Sequence, residues 1–127
     1  MRFFDAHCDT IGKIVEKKAD FTNDESLHVT LPGMRAAGMG AQVFAVWAWH
    51  GHYRGEESEA ALRMVRAVRD LCAEHSDDLL FATTGAQIAD ACAGSGPTVL
   101  IAGLEGSDPL GVRSMHSASF ATKGCAC

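Results

Sequence analysis

The chain has 127 residues, of which 47% are hydrophobic and 21% charged, and a formal net charge of −5. This composition is that of a globular protein, and the length suits one domain rather than a complete eight-unit α/β barrel, which needs about 250 residues. An acidic chain without a basic tract is a poor candidate for binding nucleic acid or an anionic membrane surface. No apolar run approaches the ~20 residues of a membrane span, and the N-terminus shows no signal-peptide core. We therefore expect a soluble, cytoplasmic protein.

The cysteines do not suggest a disulfide framework. There are five of them, and an odd number in a chain without an export signal argues against structural disulfides. Cys72 and Cys92 fall in helical patterns and are expected to be small core residues. Cys125 and Cys127 form a C-x-C pair, which is not the C-x-x-C spacing of redox or zinc motifs.

The first half of the chain predicts two strands separated by a polar stretch and a short helix. Phe3–Asp9 is an apolar run with a polar end and predicts a strand, and the charged residues from Lys17 to Ser26 predict a loop or a ragged helix end. Thr30 is a candidate cap for a helix that begins near Pro32 and ends at Gly38. Gly40 to Trp49 is apolar on both faces, as parallel strands covered by helices are.

The second half continues the alternation. His50 to Gly55 predicts a loop, and Glu56–His75 predicts the clearest helix, with apolar residues recurring at i, i+3, i+4 and i+7. Leu79–Ala82 predicts a short strand, Thr83 or Thr84 begins a helix that ends at Gly94, and Pro97–Gly103 predicts a buried strand. Alternating strands and helices favour a parallel α/β sheet with right-handed crossovers.

Three side chains with metal-binding chemistry fall at the ends of predicted strands. His7 and Asp9 are two apart, so both point to the same face of their strand, and Glu105 follows the last predicted strand. Catalytic and ligand-binding residues are concentrated at the carboxyl edge of such sheets. One imidazole and two carboxylates there form a site suited to zinc or another divalent transition metal. The alternative is that these are ordinary solvated residues, because H-x-D is a common pattern.

Three segments carry a family resemblance. Asp5-Ala6-His7-Cys8-Asp9 resembles the opening D-G-H-x-D of the membrane (renal) dipeptidase family of zinc metallopeptidases. The segment from Leu31 to Phe44 is similar to its L-P-x-L-R-x-G-x-V-G-x-Q-F-W, and Gly103-Leu104-Glu105-Gly106 is similar to its G-x-E-G. The resemblance covers about residues 3 to 111.

The resemblance implies a fold, a reaction and a site. It implies a TIM-barrel-like (β/α) fold, of which this chain holds the first three to four βα units, a partial barrel. It also implies hydrolysis of dipeptides at a centre of two zinc ions, which supply Lewis acidity and lower the pKa of bound water. By position, His7 and Asp9 would ligate the first zinc and Glu105 would bridge the two. Trp47 would lie beside the dipeptide substrate, or would fill the strand core or barrel mouth.

The chain also departs from the family pattern. The family has two further histidines at the second zinc and a histidine, an arginine and an aspartate at the substrate, all downstream of G-x-E-G. The sequence has 22 residues after Glu105, and their one histidine, His116, resembles none of those segments. We therefore expect one zinc ion or none and a weakly active or inactive chain. Relatives are often dimers, so a homo-oligomer is a further expectation.

The last residues predict a separate segment. Residues 1–111 would be the dipeptidase-like part of the barrel, and residues 112–127 an atypical tail without helical or strand periodicity. Reading hypothetical codons of this tail two bases later gives a family-like segment. We therefore hypothesise a frameshift between Gly111 and His116.

Two other functions stay open. The chain could be a non-catalytic small α/β domain that binds a metal or a partner through His7, Asp9 and Glu105. It could also be another amidohydrolase-type barrel, although those usually open with H-x-H rather than with His7-Cys8-Asp9. His50 and His52 form an H-x-H pair that could bind a metal, although a solvated loop is the favoured interpretation.

Overall fold

Four parallel strands form one sheet in the computed structural model, which describes residues 1–94 and 96–111. The strands are β1 (Phe3–Cys8), β2 (Met39–Trp47), β3 (Leu79–Phe81) and β4 (Thr98–Glu105). The helices are α1 (Thr10–Lys17), α2 (Leu31–Ala37), α3 (His50–Tyr53), α4 (Glu57–Glu74) and α5 (Gly85–Ala93), and a 3-10 turn covers Asp108–Leu110. The predicted parallel α/β class is confirmed.

The order of strands in the sheet is β1-β2-β4-β3. β4 pairs with β2 over its whole length, from Ala41 opposite Val99 to Trp47 opposite Glu105. β3 pairs only with the beginning of β4, where Leu79 lies opposite Thr98. Because the strands are parallel, β1, β2 and β4 all end at one edge of the sheet, which we call the carboxyl edge.

Local sequence signals explain where two of the helices begin. The Thr30 hydroxyl accepts a hydrogen bond from the Gly33 amide at the start of α2, and Gly38 ends that helix with a φ of 68°. Thr84 and Gln87 form a capping box at the start of α5. Both predicted caps are confirmed.

The sheet is covered on both faces, as the apolar sequence of β2 predicts. One face packs its large side chains, among them Phe44, Val46 and Leu100, against apolar residues of α1 and α4 such as Ile11 and Val68. The other face is lined by smaller residues and lies against α5. There a Cβ on Gly40 would lie 3.0 Å from the Cα of Cys92, so glycine allows the close approach of this helix.

The structure corrects one predicted element and adds another. The stretch from His50, predicted as a loop, contains the one-turn helix α3, because the Trp49 carbonyl accepts hydrogen bonds from the His52 and Tyr53 amides. Helix α1, which the sequence analysis did not predict, follows β1 directly. β1 ends at Cys8 rather than at Asp9, and β4 runs on to Glu105 rather than ending at Gly103.

Some predictions concern residues outside the described part of the chain. The separate segment 112–127, the frameshift hypothesis, His116, Cys125 and Cys127 all lie there. Within the described part, Cys8 and Cys72 are buried, Cys92 is half-buried, and all three are free thiols. None of the helices in the described part is both long enough and apolar enough to cross a membrane.

Candidate metal centre

The three predicted ligands come together at the carboxyl edge of the sheet. His7 Nε2 lies 3.5 Å from Asp9 Oδ1 and 3.6 Å from Glu105 Oε2. One ligand atom from each residue lies within 4.8 Å of the others. All three side chains are between 45% and 69% exposed, so the cluster is open to solvent. We call these residues the triad.

An irregularity in β1 sets the position of His7. Asp5 lies opposite Gln42 and Cys8 opposite Phe44, so three steps along β1 match two steps along β2. This extra residue is a bulge-like shift in register, and such shifts re-aim side chains and are frequent next to active sites. The Asp5 carboxylate accepts a hydrogen bond of 3.1 Å from the His7 amide within the bulge. Cys8 then enters the core, and His7 remains exposed.

Asp9 occupies the N-cap position of α1 without capping the helix. Aspartate is among the best N-cap residues because its side chain accepts from the first-turn amides. Among the described residues, however, the Asp9 side chain makes no such bond, and its carboxylate lies beside His7 instead. A carboxylate that the helix does not use is available to a ligand.

Glu105 is the last residue of β4 and lies opposite Trp47 of β2. Two residues earlier, Gly103 leaves room for the neighbouring strand, since a Cβ there would lie 2.7 Å from Val43 Cγ1. Strand pairing therefore places Glu105 and Trp47 side by side at the carboxyl edge.

The donor set and its spacing fit a divalent metal ion. Imidazole nitrogen and carboxylate oxygen are ligands of zinc and of related transition metals. In a tetrahedral zinc site with bonds of about 2.0–2.1 Å, ligand atoms stand roughly 3.4 Å apart. The two distances from His7 Nε2 are close to this spacing.

The triad opens into a cavity of about 570 Å³. Trp47 lines this cavity and is 49% exposed, so it is not buried in the strand core. Its ring stacks on that of Trp49, with centroids 6.1 Å apart and planes 10° apart. Whether Trp47 contacts a substrate stays a prediction.

The cavity also holds a second group of polar side chains, of which the sequence analysis named His52 but not Glu16 or Tyr53. His52 Nε2 lies 3.2 Å from Glu16 Oε1, and the Tyr53 hydroxyl donates a hydrogen bond to the same oxygen. Burial, followed by the bond to Glu16, raises the pKa of Tyr53 to about 12. The amphipathic pattern of residues 10–17 was the available signal, because it predicts the helix that carries Glu16.

The H-x-H pair does not converge on one point. His50 Nδ1 lies 2.5 Å from Glu57 Oε1, whereas His52 pairs with Glu16. The hydrogen bond from the Gly55 amide, followed by smaller contributions that include His50, lowers the pKa of Glu57. The two histidines therefore hold α3 in place through separate carboxylates rather than forming a metal site together.

Comparison with known proteins supports the predicted resemblance. The sequence matches the family model described as membrane dipeptidase (Peptidase family M19) over residues 1–125, beyond the motifs at residues 3 to 111. No curated protein matches the sequence significantly.

Three solved structures resemble the fold. The dipeptidase AC, a metallo peptidase of family M19, is 18% identical with a TM-score of 0.84, over 98% of this chain and 41% of that one. The probable dipeptidase PvdM from Pseudomonas aeruginosa is 10% identical with a TM-score of 0.82, over 98% of this chain and 33% of that one. The third is a Rhodobacter sphaeroides metallo peptidase liganded with a phosphinate mimic of the dipeptide L-Ala-D-Ala. It is 18% identical with a TM-score of 0.82, over 98% of this chain and 44% of that one.

The chain thus spans between 33% and 44% of the length of these structures. At such low identity the likeness establishes the fold alone. The four parallel strands and their helices form part of a TIM-like (β/α) barrel, and this confirms the predicted partial barrel.

Proposed function

The chain belongs to the membrane dipeptidase family, Peptidase family M19, and we propose that its reaction is the metal-dependent hydrolysis of dipeptides. The observation that carries this proposal is the convergence of His7, Asp9 and Glu105 within 4.8 Å of one another. The dipeptide mimic bound to the Rhodobacter sphaeroides metallo peptidase supports dipeptides as the substrate class.

In this proposal the triad holds zinc. The metal supplies Lewis acidity and lowers the pKa of bound water, so the protein needs no nucleophile of its own. His7 contributes a neutral nitrogen donor, and the two carboxylates balance the charge of a divalent cation. Trp47, opposite Glu105 in the sheet, flanks the substrate and limits the access of water to it.

The number of donors limits what we expect of the 127-residue chain. Three donors from the described residues leave coordination positions for water or substrate on one ion. The family resemblance implies two ions. We propose that this chain binds a single ion weakly and hydrolyses dipeptides slowly or not at all, whereas the two-ion centre belongs to the intact family site.

Zinc-dependent hydrolysis of L-Ala-D-Ala by the purified chain is the direct test. We expect weak zinc binding by calorimetry, together with any hydrolysis, to disappear with a chelator and with His7→Ala. His28→Ala is the matched control, because His28 is also exposed but lies outside the triad and the cavity lining. Zinc binding or chelator-sensitive hydrolysis that survives His7→Ala would contradict the proposal.

A second candidate is a non-catalytic domain that binds one metal ion or a partner through the same triad. The observation that favours it is that one chain supplies only three donors to the cluster within its described residues. This candidate predicts metal binding that depends on His7 without any hydrolysis. The enzyme proposal predicts that hydrolysis, where it occurs, follows the bound metal.

A further inference from the structure

Besides the triad, the cavity wall carries the stacked tryptophans Trp47 and Trp49 and a further carboxylate, that of Glu16. We propose that this wall is a binding site for an organic cation, a guanidinium or ammonium group, and that it selects substrates carrying such a group. The site consists of Glu16 and two stacked tryptophans. We call the pair Trp47 and Trp49 the aromatic shelf. As a substrate subsite it rests on the proposed function, although cation binding itself requires no metal.

The aromatic shelf is held in place by its surroundings. Trp47 and Trp49 are each about half exposed although they stack on one another. Trp49 also lies against the backbone of α3, where a Cβ on Gly51 would come within 2.2 Å of Trp49 Cζ2. Glycine at position 51 therefore makes room for the indole ring. Both tryptophans line the cavity and offer it aromatic surface.

Glu16 is oriented by two donors from α3. His52 and the Tyr53 hydroxyl both contact its Oε1 atom. Glu16 lies in the last turn of α1 and lines the cavity, and its side chain is about one-third exposed to solvent. Among the described residues, Oε2 of Glu16 accepts no hydrogen bond, so one of its two oxygens is available to a ligand.

Lys13, the cationic side chain among the described lining residues, does not neutralise Glu16. Its ammonium group donates to the Ser26 carbonyl at 2.9 Å. Within the described part of the chain, the ion pair involving Glu16 is the one with His52. Of the carboxylates that line the cavity, Asp9 and Glu105 belong to the triad, and Glu16 is the one outside it.

Aromatic faces beside a carboxylate are the chemistry that binds organic cations. A guanidinium or ammonium group over an indole face gains cation–π attraction, and a planar guanidinium also stacks on the ring while it bonds a carboxylate. A dipeptide can bring such a group from two sources, its α-ammonium group or a basic side chain. The probes below separate these sources.

Intrinsic fluorescence reports directly on this site, because the sequence contains two tryptophans and both form the aromatic shelf. We would titrate the 127-residue chain, with EDTA present, with Nα-acetyl-arginine amide, its uncharged isostere Nα-acetyl-citrulline amide, and glycinamide. We expect saturable changes in emission with the arginine probe, the glycinamide probe or both, and at least tenfold weaker binding of the citrulline probe. Binding of glycinamide alone would identify the α-ammonium group as the source.

A matched pair of variants tests the role of the carboxylate. Glu16→Gln keeps the size of the side chain and should reduce the difference in affinity between the cationic probe that binds and the citrulline probe to less than twofold. Glu74→Gln changes an exposed glutamate in the last turn of α4 and should leave the difference unchanged. Circular dichroism confirms that both variants are folded.

The outcomes separate this inference from the proposed function. Binding of the citrulline probe as tight as that of the tighter cationic probe, or no saturable change with any cationic probe, overturns the cation site whatever the metal does. Retention of the preference in Glu16→Gln also overturns it. Cation binding in the presence of EDTA would uphold the site. If zinc binding were at the same time unchanged by His7→Ala, the proposed function would be contradicted while the cation site stood.

Discussion

The two edges of the sheet use their polar side chains in opposite ways. At the amino edge, Arg2 donates to the Gly96 carbonyl at 2.7 Å, to the Thr98 hydroxyl at 2.8 Å and to the Met39 carbonyl. At the carboxyl edge, His7, Asp9 and Glu105 stand exposed around a cavity. Internal bonds thus occupy the polar groups at one edge, whereas at the other they remain available to a ligand.

This difference separates stability from function within one small fold. Hydrogen bonds from a charged group to buried acceptors stabilise the folded state, and Thr98 is buried beneath Arg2. A cluster of one imidazole and two carboxylates that lack buried partners contributes little to folding. Variants at the amino edge should therefore lower stability, and variants at the carboxyl edge should change ligand binding.

The largest expected effect is at the amino edge. Arg2→Ala removes three hydrogen bonds and leaves the Met39 carbonyl with fewer partners, so we expect the free energy of unfolding to fall by about 2–3 kcal/mol. Urea denaturation measures it. The control is Arg66→Ala, which breaks an exposed ion pair with Glu59 and should cost roughly 0.2–1 kcal/mol. Equal losses of unfolding free energy in Arg2→Ala and Arg66→Ala would contradict the claim that the amino edge contributes to stability through Arg2.

Acid should weaken the stabilising contribution of the Glu57 carboxylate, which contacts His50 of α3. The hydrogen bond from the Gly55 amide, followed by smaller contributions, lowers the pKa of Glu57 below its usual 4.5. A carboxylate with a lowered pKa stabilises the fold above its unfolded-state pKa, and this contribution is lost as the pH falls through the folded-state pKa. Glu57→Gln should therefore be less stable than the wild type at pH 7, and the two should converge as the pH falls below 4.5 and through the lowered pKa of Glu57.

Thermal unfolding from pH 7 to pH 3 checks this convergence. Asp20 and Asp24 also have lowered pKa values, because Thr22 and Ser26 donate hydrogen bonds to them. Both proteins should therefore retain some acid sensitivity. A difference in stability that stays constant over the whole pH range would show that Glu57 acts through packing rather than charge.

The smallest expected effect on stability is at Gly51. Gly51→Ala must displace the Trp49 ring, whose Cζ2 would lie 2.2 Å from the new Cβ, but Trp49 is half exposed and can move into solvent. We expect a change of less than about 1 kcal/mol together with a shift in tryptophan emission. Gly85→Ala, where a Cβ meets open space, should leave the emission unchanged. An unchanged emission in Gly51→Ala would contradict the packing of Trp49 against α3.

Local patterns predicted much of the fold. The spacing of Ala61, Met64, Val65 and Val68 predicted α4, and all four side chains are buried in it. The rule that functional polar residues lie where parallel strands end predicted that His7, Asp9 and Glu105 come together. These signals work because the periodicity of an element and its direction in a sheet follow from nearby residues.

Contacts distant in sequence explain what the sequence analysis missed. Helix α3 depends on the bond from the His50 amide to Asp108, 58 residues away, at 2.9 Å. The Glu16–His52 pair depends on how α1 packs beside α3, which no local pattern shows. β3 takes the outer position in the sheet through a pairing of only three residues with β4, too short for its sequence to determine its neighbour.

Cobalt titration tests the central claim most directly, because Co²⁺ accepts the same nitrogen and oxygen ligands as zinc and its visible absorption reports on coordination. The account predicts saturable absorption bands at no more than about one Co²⁺ per chain, lost in His7→Ala and retained in His28→Ala and Trp47→Phe. Bands that persist unchanged in His7→Ala, or that are absent from the wild type at millimolar Co²⁺, would contradict the claim that the carboxyl edge holds a metal.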